Sequence, residues 1–489
     1  MIHKSYSSLL ILSLLWAVTA CTAHKQAHSP TVKVITTTGD RSKEFKADTL
    51  ALFSADKTTN ANITLKPTEK FQTVYGFGTA ITGSTCYNLM QMSPADRKNF
   101  LIQTFSETEG FGQNFVRISI GCSDFSLSEY TLCDTKGIDN FALTQEETKY
   151  VIPILKEILA INPKVQIIGS PWTPPRWMKV NNLTDLQPYN HWTSGQLNPA
   201  HYQDYALYFA KWLQAMKDNG LNVNAITIQN EPLNRGNSAS MYMGWDEQLA
   251  FVKSALGKTL RDKGFAEVKI YLFDHNYNYD NMPSQQQYPL HIYKDTEASQ
   301  YITGAAYHNY GGNPDELNNI HNQYPNKELI FTESSIGTWN DGRNLERRLT
   351  EDMQELGIKT LNNHCKAVMV WNLMLDEHGA PNREGGCKTC FGAVDIQTSD
   401  YKTMQRNSHY YVISHLSSVI KQGATRIGVE KTTDDNVQCT AFQNPDGSLA
   451  CVLLNKKKEA THLTLSTGKQ YFSYEVPANS VVSFLIPKI

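Results

Sequence analysis

The sequence predicts an α/β protein: a (β/α)8 TIM barrel with an accompanying β-sandwich domain formed from both termini. Three observations predict it. Short apolar runs alternate with amphipathic stretches eight times after Gly76, each run turns polar at its C-terminal end, and the flanks of this region read as short β-strands. At 489 residues the chain suits one large and one smaller domain, because such barrels take ~250 residues or more with insertions. With 40% apolar and 19% charged residues it has the composition of a globular protein. A net charge of −2 leaves no basic patch for nucleic acid, so uncharged or small partners are expected.

The N-terminus reads as an address rather than as fold. Lys4 precedes the apolar run "LLILSLLWAV", which is shorter than the ~20 residues a membrane span needs and fits a signal peptide over residues 1–20. Val18-Thr19-Ala20-Cys21 resembles a bacterial lipobox, in which the cysteine is lipidated and becomes the new N-terminus. Lipidation is therefore expected at Cys21, followed by a tether over residues 21–33. The expected location is the bacterial outer membrane, on its periplasmic or cell-surface face, with the lipid as the sole membrane contact. Thr22 and Ala23 carry no acidic cue for inner-membrane retention.

Export makes the remaining eight cysteines disulfide-permissive. Only Cys387 and Cys390 are closely spaced. A lone C-x-x-C lacks the second pair of ligands that structural zinc requires, which favours a loop-stapling disulfide over free thiols.

Residues 34–75 ("VKVITTT", "ITLKP") have β character and belong with 421–489 in the sandwich domain, while 76–420 form the catalytic barrel. The barrel strands are expected at 74–82, 114–121, 165–172, 225–232, 268–276, 302–310, 328–335 and 366–375. Amphipathic stretches at 144–161 and 199–220 supply helices, the second closing on Gly220. In the tail, Asn444-Pro445-Asp446-Gly447 is a hairpin turn between two alternating runs.

Polar residues collect at the strand ends: Asp124, Trp172, Asn230 and Glu231, His275 and Asn276, His308 and Tyr310, Glu333, Trp371 and Asn372. The C-terminal rim is where barrels of this type carry active sites. Glu231 and Glu333 end the fourth and seventh runs. Glycoside hydrolysis needs such a pair, one carboxyl to protonate the leaving oxygen and one to attack or to activate water. Glu231 is the expected acid/base, its pKa raised by its ionised neighbour, and Asn230 is expected on the sugar 2-hydroxyl. Trp172, Trp177, Tyr310, Trp339 and Trp371 offer flat faces for sugar rings, although each alone is equally a core aromatic. Asp124 can bind paired hydroxyls or cap a turn. No phosphate-binding loop, H-E-x-x-H or G-x-S-x-G occurs, and no cofactor or metal is expected.

The motifs "FQTVYGFGTAITGS", "GCSDFSLSEYTLCD", "SPWTPPRWMK", "TIQNEPLN", "HNYGG", "FTESSIG", "VWNLMLDEHGAPN" and "AVDI" together resemble glycoside hydrolase family 30, the family that includes lysosomal glucosylceramidase. The resemblance runs from about Phe71 to Ile489. It implies a retaining mechanism with Glu231 as acid/base and Glu333 as nucleophile. It also implies sugar contacts at Asp124, Trp172, Asn230 and Trp371, with His308, Tyr310 and Asn382 near the pocket and Tyr310 bonded to the nucleophile. The stretch "NREGGCKTCFGAVDI" is more similar to the bacterial and fungal members that cleave β-1,6-glucan. The expectation is therefore a monomeric endo-β-1,6-glucanase acting on external glucan. The alternatives are a glucosylceramidase or exo-acting β-glucosidase and, outside enzymes, a lipid-anchored glucan-binding protein.

Overall fold

The structure is a computed structural model that describes residues 1–2, 31–56 and 59–488. The signal peptide after residue 2, the lipobox with Cys21 and most of the tether lie outside the described residues. Among the described residues no helix is long and apolar enough to cross a membrane.

Eight parallel strands close the barrel: β1 (Gly76–Ala80), β2 (Phe115–Ser119), β3 (Gln166–Ser170), β4 (Ala225–Thr227), β5 (Lys269–Asn276), β6 (Gly304–His308), β7 (Glu328–Glu333) and β8 (Cys365–Val370). Each falls within or overlaps a run expected from sequence. Inward-facing residues form a separate apolar plug of Phe115, Ile168, Ala225, Tyr271, Ala306, Ile330, Ala367 and Met369. Because strand side chains repeat every second residue, the next inward layer toward the C-terminal mouth is Arg117, Ser170, Thr227, His308 and Thr332. That layer is polar, and it forms the bed of the site. At the opposite end Glu328 is bonded by Tyr271 Oη at 2.7 Å and paired with Lys269 and Lys366, both at 3.1 Å.

Ten strands from both chain ends make one antiparallel-dominated sheet whose buried residues, among them Val34, Leu65, Leu453 and Phe484, form a second core. The first of these strands, Thr31–Thr38, pairs with Ser480–Ile486. The tether expected to run to residue 33 therefore ends sooner: Val32 and Val34 are buried on alternate positions, so the period-2 pattern already begins there. Strand Ile63–Thr73 leads directly into β1, and helix Ser408–Val419 returns the chain to the sandwich. His415 of that helix is buried between Ser483 Oγ and Thr37 Oγ1, each 2.8 Å away. The 444–447 turn closes the hairpin between Val437–Gln443 and Leu449–Asn455 as expected, with Gly447 at φ 87°.

Candidate active site

A cavity of about 260 Å³ opens at the C-terminal mouth of the barrel. It is lined by Asp124, Glu231, Asn234, Asn237, Asn276, Tyr310, Glu333, Ser335, Trp339 and Trp371, with Cys387 and Cys390 on one wall. Those two cysteines form a disulfide.

Arg117 is the centre of the bed. Fully buried, it donates from Nη1 to Glu333 Oε2 at 2.6 Å and from Nη2 to Asn230 Oδ1 at 2.7 Å and Asp274 Oδ2 at 2.8 Å. Its guanidinium lies 5.0 Å from the ring of Trp172 and 5.4 Å from that of Trp371. Asp274 reaches this position because β5 carries a bulge there: the register shifts between Phe273 and His275, and both Phe273 and Asp274 have φ 69°. Its Oδ2 accepts from Thr227 Oγ1 at 2.7 Å, and its Oδ1 accepts from Thr332 Oγ1 at 2.6 Å and faces His308 Nε2 at 3.0 Å. Burial alone would raise the Asp274 carboxyl, but Arg117 and His308 hold it well below the usual range.

Glu333 ends β7 and is held by Arg117 on Oε2 and by Tyr310, whose phenol donates to Oε1 at 2.9 Å. Burial and the neighbouring carboxylates push the Tyr310 phenol well up, so it remains a neutral donor. Glu231 follows β4, where the chain leaves the ladder after Thr227. Asn230 N–H donates to Pro171 C=O and Glu231 N–H to Asp274 C=O, at 2.8 and 3.0 Å, and Glu231 takes φ 45°. A non-glycine residue in the left-handed region costs of order 1–3 kcal/mol and marks a turn fixed by its surroundings. Oε2 of Glu231 accepts from Asn234 and Asn237 at 2.8 and 2.5 Å. Its Oε1 faces Nδ1 of His308 at 3.4 Å and Nδ1 of His275 at 3.6 Å. His308 Nδ1 also lies 4.0 Å from Glu333 Oε1, so one imidazole edge borders both carboxylates.

These imidazoles reverse one expectation. Burial and an ionised neighbour would raise Glu231; instead His275 and His308 outweigh burial and hold it well below the usual range. Burial opposes charge on His308, yet Glu333, Asp274 and Glu231 together raise it to about 9. Asp280, 2.8 Å from His275 Nε2, and Glu231 raise His275 in the same way. The negative charge on Glu231 and positive charge on the two imidazoles thus stabilise one another.

Asp124 is half-buried on the cavity wall, and its Oδ1 makes no hydrogen bond. Burial, followed by the charges of Glu333 and Glu231, pushes it up to about 8 against the pull of Arg383. Arg383 ties three rim loops together, donating to the carbonyls of Ser123 and Ser238 and pairing with Glu129 at 3.0 Å.

Several expected sugar contacts move into supporting positions. Trp172 is 2% exposed and stacks under Trp371 at 5.1 Å, so it carries the cavity wall instead of forming it. His308 is fully buried behind Glu231. Asn230 has its Oδ1 taken by Arg117, leaving only its Nδ2 for a hydroxyl. Asn382 turns back on its own loop, donating to Gly379 C=O at 3.0 Å, and is not among the cavity-lining residues, because that amide satisfies a turn carbonyl. Trp177 points elsewhere, to Cys133 C=O at 2.8 Å. Asp124, Tyr310, Trp339 and Trp371 do line the cavity. Residues missed from sequence are Arg117, Asp274, Asn234, Asn237 and Arg383. Arg117 was discoverable, being the one charge inside the apolar run "NFVRIS".

Comparison with known proteins agrees with this geometry. Residues 74–420 match the glycosyl hydrolase family 30 TIM-barrel domain, and residues 423–484 match the family 30 beta sandwich domain. The chain is 32% identical over 442 residues to the endo-1,6-beta-D-glucanase BGN16.3 of Trichoderma harzianum, covering 86% of this chain and 85% of that protein. It is 28% identical over 452 residues to the lysosomal acid glucosylceramidase of Mus musculus, covering 86% and 83%. Among solved structures, the endo-beta1,6-glucanase BT3312 superposes with a TM-score of 0.90 at 59% identity, covering 94% of this chain and all of that one. With a barrel and a sandwich that both match and two carboxylates facing one cavity, the chain belongs to glycosyl hydrolase family 30 and is a glycoside hydrolase.

Proposed function

We propose that this protein is a retaining endo-β-1,6-glucanase. The observation that carries the substrate is its 59% identity, over 94% of the chain, to a structure described as an endo-β1,6-glucanase. The cavity supports it: half of its lining residues carry amides or carboxyls, and Tyr310, Trp339 and Trp371 add flat apolar faces, which suits sugar on both sides of the broken bond.

In this reading Glu333 attacks the anomeric carbon while Glu231 delivers a proton to the departing glycosidic oxygen. Arg117 and Tyr310 orient Glu333 for attack through their bonds to Oε2 and Oε1. The imidazolium of His308 loads Glu231 with that proton through the 3.4 Å contact before attack. After donation Glu231 is left as the carboxylate that serves as base, and the proton it takes from water passes back to His308. Water deprotonated by Glu231 then cleaves the glycosyl-enzyme, and the β configuration is restored. Both carboxylates line one cavity and border the same imidazole edge, Glu231 at 3.4 Å and Glu333 at 4.0 Å from His308 Nδ1; retention calls for a spacing of ~5–5.5 Å between them. A binding protein has no use for an acid and a nucleophile in opposition.

The lipobox at residues 18–21 supports export and anchoring of a monomer through Cys21 to the outer membrane. Loss of palmitate labelling in Cys21→Ser tests the anchor.

The reading is tested by incubating the mature protein with β-1,6-glucan and, in parallel, with glucosylceramide. Products are analysed by mass and anomeric NMR. Short β-configured β-1,6-oligosaccharides are expected. Glucose from the lipid alone would overturn the substrate, and α-configured first products would overturn retention.

A further inference from the structure

Glu231, His275 and His308 place one ligand atom each within 4.8 Å of one another. A proton donor needs one partner, yet Glu231 faces two imidazoles. Each imidazole is fixed from behind by a carboxylate, His275 Nε2 by Asp280 at 2.8 Å and His308 Nε2 by Asp274 at 3.0 Å. A carboxylate that holds the proton of one ring nitrogen leaves the other nitrogen to coordinate an ion once that ion displaces its proton, as in metal-binding histidines. Both Nδ1 atoms therefore point at Glu231 Oε1, from 3.4 and 3.6 Å. Tetrahedral ligands held ~2.0–2.1 Å from an ion are ~3.3–3.4 Å apart, close to these spacings. His275 Nδ1 is buried and makes no hydrogen bond. Oε2 is occupied by Asn234 and Asn237, which leaves Oε1 as the single coordinating oxygen.

We propose that Glu231, His275 and His308 form an inhibitory site for a borderline divalent transition-metal ion of the Zn2+ or Co2+ type. Two imidazoles and one carboxylate oxygen are the donor set of such ions, whereas Mg2+ and Ca2+ seek oxygen alone. Glu231 borders the cavity, so the ion enters from there and its fourth position faces the substrate side. It occupies the place of the proton that Glu231 would donate. That inhibitory consequence rests on the proposed role of Glu231; the binding itself does not.

The test uses the mature chain without a histidine tag, stripped with EDTA and held at pH 8. It is titrated with Co2+ by visible absorption and with Zn2+ by calorimetry. One ion per chain and the intense bands of tetrahedral Co2+ are expected, with activity on β-1,6-glucan lost on loading and restored by EDTA. Glu231→Gln, which keeps the side-chain shape, and His275→Asn should each weaken binding at least ~100-fold, and Asp280→Asn ~10–100-fold. His364→Asn, in the part-exposed His321–His364 stack, should leave affinity unchanged. No uptake up to about 1 mM Zn2+, or uptake lost only in His364→Asn, would overturn the site. Binding without inhibition would overturn its inhibitory role. A metal-free protein inactive on every glucan tested would instead count against the proposed function.

Discussion

Arg117 Nη1 and Glu333 Oε2 lie 2.6 Å apart, with the guanidinium fully buried beneath the cavity floor. The same side chain satisfies Asp274 and Asn230, so its removal strips fully buried Asp274 of its guanidinium partner and leaves Glu333 with Tyr310 alone on the cavity floor. Arg117→Met is expected to cost about 3–5 kcal/mol of stability, measured by urea unfolding, because a broken buried pair leaves uncompensated charge. Arg117→Lys keeps the charge but not the fork, and should be the more stable of the two variants while still losing most activity. Wild-type stability in Arg117→Met would show that the buried network is not as described.

The two carboxylates should separate by the stereochemistry of rescue. Glu333→Ala is expected to lower kcat/KM on the order of 10⁴-fold or more, and Glu231→Gln about 10²–10⁴-fold. With an aryl β-glucoside and azide, Glu333→Ala should give the α-glycosyl azide, since azide attacks in place of the missing nucleophile. Glu231→Ala should give the β-azide, formed from the glycosyl-enzyme. Exchanged anomers would exchange the two roles.

Tyr310 donates to Glu333 Oε1 at 2.9 Å while its ring is exposed at the cavity mouth. Tyr310→Phe retains the ring and removes only that bond. A hydrogen bond to a charged group contributes ~1.5–3 kcal/mol, so kcat should fall about 10–100-fold with KM little changed. A rise in KM alone would mean that the phenol binds sugar and does not position the nucleophile.

The eight barrel strands were legible because each is a short apolar run, and the two carboxylates because each ends one. What sequence could not show is where strands stop pairing. The fourth run looks extended through residue 232, but only Ala225–Thr227 pair, since Asn230 and Glu231 bond to the third and fifth strand ends instead. The eighth run, read as one strand over 366–375, breaks at Asn372, which has φ 38°; Met374–Asp376 then joins a separate three-stranded sheet. Asp274 was invisible as a site residue because the bulge that turns it inward depends on pairing with β6. Asn234 and Asn237 sit in an irregular loop, where no periodicity reports direction.

The Cys387–Cys390 disulfide closes a very short loop and lines the cavity. Chain entropy for so small a loop is worth at most about 2 kcal/mol. The consequence should appear in binding: Cys387→Ser with Cys390→Ser is expected to raise KM for the glucan several-fold while leaving the unfolding temperature nearly unchanged. A large stability loss with unaltered KM would make the bridge a structural staple only.

The pH dependence of stability follows from Asp124. Its folded carboxyl is pushed up to about 8, first by burial and then by Glu333 and Glu231, whereas an unfolded Asp titrates near ~3.9. Between those values the folded state holds a proton that the unfolded state has lost, so this contribution is fully present below ~4 and disappears as pH rises to about 8. His308, raised to about 9, adds a loss of the same sign at higher pH, and buried Lys179, pulled down to about 7, opposes it. Comparing wild type with Asp124→Asn cancels those two groups and isolates the carboxyl, because the amide mimics the neutral acid and never ionises. The unfolding temperature of Asp124→Asn should therefore gain on wild type steadily from about pH 4 to pH 8. A difference that stays flat across this range would mean that Asp124 is ionised in the folded protein and faces the sugar as a carboxylate.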